Sequence, residues 1–218
     1  DLASGRVLQT LQAHSWWVWA AEFSPDGRRI VTVSQDGKAI VWQQAKSGNY
    51  EILTEFTKHR GPLYAAQFSP DGTLVATAGY DRRVLVWDPD AVEPVDIARR
   101  LDAQPDPPAP FRELAVHGGP VRSVVFSPSG KAVVSGGQDN VIRVWDLASD
   151  RETTVLRGHA SHVRDCTFSP DGQFLLSAGR DQQIKLWQPA TYGEALVLGG
   201  TAGMAQADAV LAARFSRD

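Results

Sequence analysis

Residues 158–187 read GHASHVRDCTFSPDGQFLLSAGRDQQIKLW, and the rest of the chain repeats this pattern. Counting from His159, a Phe lies nine positions on, a Ser eighteen, an Asp twenty-two and a Trp twenty-eight. The same residue types, with Thr replacing Ser in two copies, recur at the same spacings after His14, His59 and His117. Because four fixed positions repeated four times are not a chance pattern, the sequence predicts an array of equivalent structural units.

Each unit predicts four short β-strands. Residues 18–23 predict a first strand, which ends in a Ser-Pro-Asp-Gly turn because Pro presets φ and Gly accepts the left-handed region. Apolar residues 30–33 predict a second strand. Alternating apolar and polar residues, as in 141–145, predict a third strand, and residues 50–57 predict a fourth. Four short strands separated by turns are typical of a propeller blade. The predicted fold is therefore all-β, a β-propeller segment with four complete four-stranded antiparallel blades, whose repeats cover residues 14–42, 59–87, 117–145 and 159–187.

The stretches between and beyond the repeats are predicted to differ. The insertion over 88–110 contains six prolines, which excludes a central strand and favours a solvated spacer. Residues 6–11 predict the outer strand of a preceding blade. A fifth, partial repeat over 206–218 has Gln206 in the His position and predicts an inner strand over 210–215. We expect residues 1–218 to be one segment of a longer propeller, with the remaining blades of the same parent chain as partners.

Composition narrows the function classes. Hydrophobic residues make up 43% of the chain, which is normal for a folded domain, and the net charge of −3 argues against nucleic acid as a partner. The single Cys166 excludes an internal disulfide and fits a reducing compartment. No run of eighteen apolar residues is present, so no membrane span is expected. We predict a cytoplasmic protein.

The pairs Gly158-His159, Trp145-Asp146 and Trp87-Asp88 resemble the signature of the WD-repeat β-propeller family, although Trp42 and Trp187 are followed by Gln. The resemblance implies a propeller of about seven blades. It also implies a hydrogen-bonded tetrad in each blade, with the His-bearing and Asp-bearing loops on one face, called here the top face. The implied tetrads are His14, Thr32, Asp36 and Trp42; His59, Thr77, Asp81 and Trp87; His117, Ser135, Asp139 and Trp145; and His159, Ser177, Asp181 and Trp187.

The Ser, His and Asp of each unit also match the residue types of a hydrolase triad. An active site occurs once, whereas this set occurs four times with a Trp attached, so we predict no catalytic residue and no enzyme. His162 follows His159 by three positions without a Cys or carboxylate at ligand spacing, and no Gly-rich phosphate loop is present, so no metal and no cofactor are expected. Cys166 occupies the position of Ala21 in its unit and is predicted to be a small core residue.

Two positions per unit are predicted to point at the top face without serving a tetrad, and in WD-repeat proteins such positions contact ligands. One follows the tetrad His by five residues and the other precedes the tetrad Asp. The candidate partner-binding residues are Trp19, Gln35, Tyr64, Tyr80, Arg122, Gln138, Arg164 and Arg180. Trp, Tyr and Arg dominate interface hot spots, and Arg grips carboxylate or phosphate. The alternative is that the aromatic residues cover the channel mouth while the Arg residues pair with acids such as Asp26 or Asp165.

The leading function hypothesis is a non-catalytic protein-interaction scaffold that binds a protein or peptide partner, acidic or phosphorylated, at the top face. Arg at these positions also resembles the phosphopeptide-reading WD-repeat proteins. A further hypothesis is a ligand-recognition or sensor module of a larger signalling ATPase or kinase, for which the Ala-, Arg- and Gly-rich composition suggests a bacterial source.

Overall fold

A computed structural model describes residues 3–91, 111–114, 117–189, 193–199 and 210–216. Its regular structure is entirely β, in four separate sheets of four antiparallel strands each. Blade 1 contains β1 (Val18–Phe23), β2 (Arg29–Ser34), β3 (Ala39–Gln44) and β4 (Tyr50–Phe56). Blade 2 contains β5 (Leu63–Phe68), β6 (Val75–Gly79), β7 (Val84–Trp87) and β8 (Phe111–Leu114). Blade 3 contains β9 (Val121–Phe126), β10 (Ala132–Gly137), β11 (Val141–Asp146) and β12 (Arg151–Arg157). Blade 4 contains β13 (Val163–Phe168), β14 (Leu175–Gly179), β15 (Gln183–Gln188) and β16 (Gly193–Gly199).

The blades follow one another around a common cavity. The strands of each blade pair in sequence order, and the first strands β1, β5, β9 and β13 all line a cavity of about 560 Å³. These sheets do not close into a ring, so the chain is a partial propeller, as the repeat pattern predicts.

Each first strand ends in the same tight turn. The amide of Gly27 donates to the carbonyl of Ser24 at 2.8 Å, and φ of Gly27 is +72°, a value that favours glycine. The turns of the other blades have the same hydrogen bond, with φ between +69° and +74° at Gly72, Gly130 and Gly172. The repeated sequence therefore gives the same chain reversal in every blade.

The apolar core lies between neighbouring blades. Val31, Val41 and Phe56 of blade 1 pack against Phe68 and Trp87 of blade 2, and the next two interfaces repeat this arrangement. Phe56 stacks parallel to Trp87 with ring centroids 4.4 Å apart. The stability of each blade therefore depends on the blade beside it.

The predicted strand over 6–11 is wrong. These residues form no strand, because the side-chain amide of Gln9 takes the place of a backbone ladder. Its Nε2 donates to the carbonyl of Tyr50 at 2.8 Å, and its Oε1 accepts from the Tyr50 amide at 2.7 Å. The segment therefore lies beside β4 without extending the sheet.

The predicted inner strand over 210–215 is also wrong. The Ala213 amide donates to the carboxylate of Asp165 at 3.1 Å, and the Arg214 guanidinium forms an ion pair with the same carboxylate. The Val210 amide donates to the carbonyl of Gly179 at 3.3 Å, but no run of such bonds follows, so residues 210–216 form no strand and lie beside blade 4. Residues 92–110, 206–209 and 217–218 of the predicted insertion and partial repeat lie outside the described residues.

Candidate functional site

The four tetrads are continuous hydrogen-bonded chains. In blade 3, Nε1 of Trp145 donates to the hydroxyl of Ser135 at 2.9 Å, and that hydroxyl lies 2.7 Å from Nε2 of His117. His117 Nδ1 lies 3.0 Å from the Asp139 carboxylate. Because a carboxylate only accepts, Nδ1 carries the imidazole proton, and Nε2 accepts from the hydroxyl. The distances from the hydroxyl to His Nε2 in blades 1, 2 and 4 are 2.8, 2.9 and 2.8 Å.

The tetrad Asp also joins the two top loops through the backbone. Asp139 accepts from the Gly118 amide at 2.9 Å, and the equivalent bonds in blades 1, 2 and 4 measure 3.0, 2.9 and 2.8 Å. The hydroxyl of Ser135 is completely buried and already bonded by Trp145 and His117. No substrate reaches such a hydroxyl, so the geometry is that of a structural link.

The carboxylates of three tetrads, those of Asp36, Asp81 and Asp139, have lowered pKa values and are held in their charged form. Burial alone would raise the pKa of Asp139, but hydrogen bonds from His117 and Gly118, together with the charge of Arg143, lower it from 3.8 to about 2. The pKa of Asp81 is lowered by its His59 and backbone partners against the same effect of burial.

Acid is therefore expected to weaken the fold in a defined range. A depressed folded-state pKa stabilises above the unfolded value of 3.8, and this contribution is lost as pH falls through about 2. We predict that the difference in urea midpoint between wild type and Asp139→Asn is largest between about pH 5 and about pH 7. It is expected to narrow as the pH falls towards about 2. A difference that is the same at both ends of the titration would contradict this linkage.

A β-bulge in each first strand sets the direction of the residue that follows the tetrad His by five positions. In β1 the pairing passes from Val18 opposite Ser34 to Ala20 opposite Val33, which leaves Trp19 as the extra residue. Tyr64, Arg122 and Arg164 are the extra residues of the other three blades. Since a bulge re-aims a side chain, the fold itself presents these four residues apart from the sheet. Trp19, Tyr64 and Arg122 line the cavity.

A second repeated bond ties the residue that precedes the tetrad Asp to the same place. The Arg180 amide donates to the carbonyl of His162 at 2.8 Å. The equivalent bonds run from Gln35 to Trp17 at 2.9 Å, from Tyr80 to Pro62 at 2.8 Å and from Gln138 to Pro120 at 2.8 Å. The two predicted positions therefore lie on loops that are joined in every blade.

The top face is aromatic over blades 1 and 2. The Trp19 ring packs edge-on against Trp17 at 6.0 Å and against Tyr64 at 5.9 Å between centroids. Trp19 Nε1 donates to Gln35 at 3.0 Å, which orients the indole. Trp19 is 46% exposed and Tyr80 57% exposed, so both rings present apolar surface to solvent.

The top face is cationic over blades 3 and 4. The Arg122 guanidinium lies 3.8 Å from the centre of the Tyr64 ring, and Gln138, with its amide oxygen turned towards Arg122, accepts at 2.9 and 2.6 Å. Burial, together with the charge of Arg164, lowers the pKa of Arg122. Within the described ranges, Arg164 and Arg180 form no ion pair. Asp165 pairs with Arg214 and Asp26 accepts from Ser24, so neither acid neutralises these two Arg residues.

Two further residues of the site, Glu22 and His162, were not among the predicted partner-binding residues. Burial raises the pKa of Glu22, which lines the cavity, to about 7 despite a hydrogen bond with Gln67 and the charge of Arg214. His162 stands where blades 2 and 3 have Pro62 and Pro120, and this exchange of residue type was the available signal. Cys166 is buried, as predicted, and burial raises the pKa of its thiol.

Repeated four-stranded blades around a shared cavity, each joined by an Asp–His–Ser/Thr–Trp chain of hydrogen bonds, define a β-propeller. The family model "WD domain, G-beta repeat" matches residues 5–43, 50–88, 109–146 and 150–188. The chain therefore belongs to the WD-repeat family, and WD repeats are protein-interaction scaffolds.

Several curated proteins are similar to parts of the chain. Periodic tryptophan protein 2 homolog of Dictyostelium discoideum is 30% identical over 153 residues, which cover 68% of this chain and 14% of that protein. The general transcriptional corepressor TUP1 of Saccharomyces cerevisiae is 44% identical over 39 residues, or 18% of this chain and 6% of that protein. Ribosome biogenesis protein erb1 of Neurospora crassa is 53% identical over 36 residues, or 16% and 5%. The chain thus spans a small part of each of these relatives. Across the described segments, no helix is long and apolar enough to cross a membrane.

Proposed function

We propose that this chain is a non-catalytic interaction module whose top face binds a segment of a partner protein. An aromatic or aliphatic anchor of that segment packs against Trp19, Tyr64 and Tyr80. An acidic or phosphorylated residue of the same segment contacts Arg164 and Arg180. Exposed Trp and Tyr beside Arg is the composition of interface hot spots.

The observation that carries the proposal is the pair Arg164 and Arg180. Both belong to blade 4, one at the bulge and one on the joined loop, and neither has an acidic partner in the described part of the chain. The nearby charge of Arg122 adds to the same positive field. An anion supplied by a partner is the natural counterion, since guanidinium groups bind carboxylate and phosphate in bidentate fashion.

A catalytic role has no support in the tetrads, because their hydroxyls are buried and already bonded. The hypothesis of a sensor module within a larger signalling ATPase or kinase uses the same surface and predicts the same contacts. The relatives named above include a transcriptional corepressor and a ribosome biogenesis protein, so the cytoplasmic location stays a prediction for this chain.

The test is a selection of peptides on the wild-type protein from libraries with and without phosphoserine, followed by affinity measurements on the peptides recovered. Replacing Arg164 and Arg180 together by Ala is expected to weaken binding roughly a hundredfold, since two charge-assisted contacts are lost. The fold is expected to be unchanged, because neither side chain serves a tetrad.

The matched control replaces Arg28 and Arg151, two exposed Arg residues outside the top loops, by Ala. This variant removes the same net charge and is expected to bind within about twofold of wild type. If both double variants weaken binding equally, the effect comes from the loss of net charge and not from contacts of Arg164 and Arg180. Equal binding by all three proteins would refute the top-face site.

A further inference from the structure

His162 lies in the middle of the cationic part of the top face. It belongs to the loop between His159 and β13, and its carbonyl accepts the backbone bond from Arg180 at 2.8 Å. Arg164 follows it by two residues on the bulge of β13. The backbone of His162 is therefore held beside that of Arg180 by the same bond that recurs in all four blades, and the charges of Arg164 and Arg180 both act on its ring.

Two nitrogen atoms of this loop are buried without a hydrogen-bond partner. They are Nδ1 of His162 and Nε of Arg164, which lie two residues apart at the start of β13. Buried polar atoms are nearly always paired, and an unpaired one costs about 1–3 kcal/mol. The unsatisfied pair thus indicates a site that is completed by an acceptor from outside the described chain.

Among the described residues, the charged groups that act on His162 are all basic. They are Arg164 on its own strand, Arg180 on the joined loop and Arg122 on the neighbouring blade. Burial and then these three charges lower the pKa of His162, so the imidazole is neutral at neutral pH. A bound dianion would offset the three charges and remove the reason for that neutrality.

We infer that His162 is the fourth member of an anion site with Arg122, Arg164 and Arg180, and that it takes up one proton from solvent when a dianion of the phosphate-monoester type binds. The inference rests on the proposed function and names the ligand class of the same site. A dianion fits three guanidinium groups better than a single carboxylate does, because it offers more acceptor oxygens and twice the charge. Its affinity must then rise as the pH falls, since binding and protonation favour each other.

Sulfate is a suitable probe because it stays a dianion throughout the neutral range, so that only the protein titrates. The affinity of the protein for sulfate is measured by calorimetry at about pH 7.5 and at about pH 5.5. The titration of the His162 ring protons is followed by NMR with and without sulfate. We expect affinity to rise roughly fivefold or more at the lower pH and the His162 titration to move to higher pH when sulfate is added. In His162→Gln, which cannot titrate, the pH effect on affinity is expected to be less than about twofold.

The outcomes separate this inference from the proposed function. Sulfate binding that is lost in the double Ala variant of Arg164 and Arg180, but has no pH dependence that His162→Gln removes, overturns the role of His162 alone. Absence of saturable binding, or binding that the double Ala variant retains, overturns the anion site itself and with it the anionic half of the proposed function. Binding with the expected pH dependence in wild type only supports both.

Discussion

Replacing His117 by Ala is expected to lower the free energy of unfolding by about 3–5 kcal/mol, as measured by urea denaturation. The side chain of His117 is fully buried and bonds at both ring nitrogens. Its removal leaves the buried Ser135 hydroxyl without its acceptor and takes from the Asp139 carboxylate, whose side chain is 14% exposed, one of its hydrogen-bond partners. The lost bonds and the remaining charge both act against the folded state.

His162→Ala is the matched control for this prediction. It changes the same residue type at another top loop, but His162 serves no tetrad and its Nδ1 has no bond to lose. The free energy of unfolding is expected either to fall by less than about 0.5 kcal/mol, as is usual away from a bonded network, or to rise, because an unpaired buried nitrogen is removed. Similar urea midpoints for the two variants would mean that the tetrad is not what holds blade 3 together.

The repeat spacing was sufficient to predict the blades because both register and loop length are constant. Because His and Trp are always twenty-eight residues apart, the three strands between them and their connecting turns have the same lengths in every repeat. The strands therefore pair in the same register in each blade. His117, Ser135 and Trp145 then meet as a consequence of that register, and their residue types allow only one order of donors and acceptors.

The ends of the chain were less predictable because strand formation there depends on a pairing partner. Residues 6–11 and 210–215 resemble strand segments of other repeats, but a strand forms only where another backbone is in position to pair. Gln9 and Asp165 supply side-chain partners instead, and sequence similarity to a repeat gives no sign of this competition.

The directions of Trp19 and its equivalents were predicted from family resemblance, and their physical cause appears only in the register. A period-two pattern assigns alternate residues to alternate faces, whereas a bulge adds one residue that obeys neither assignment. The raised pKa of Glu22 reflects burial among residues that include Gln67 of blade 2 and Arg214 of the C-terminal segment, and the pKa of His162 depends in part on Arg122 of blade 3. Such neighbours lie far apart in sequence, so a single repeat does not reveal them.

Phe68→Ala is expected to cost about 3–5 kcal/mol, whereas Phe23→Ala, the same change one repeat earlier, is expected to cost less than about 1 kcal/mol in the isolated chain. Phe68 is 4% exposed and packs in the interface between blades 1 and 2, and Phe126 in the next interface is 5% exposed. Phe23 is 59% exposed. Phe23 and Phe68 are therefore a matched pair. They are the same residue type at the same position of the repeat, and they differ in whether a neighbouring blade covers the side chain.

The face of blade 1 that carries Val18 and Phe23 has the composition of a blade interface. Val18 is 52% exposed, whereas its equivalents Leu63, Val121 and Val163 are each completely buried. If a further blade of the same protein packs on this face, Phe23→Ala in that longer protein should cost as much as Phe68→Ala does. Urea midpoints for both variants, in residues 1–218 and in the longer protein, provide the measurement. A small cost for Phe23→Ala in both proteins would mean that no blade packs on this face. A large cost already in residues 1–218 would mean that the face is covered by this chain or by a second copy. A cost that decreases on dilution would indicate the second copy.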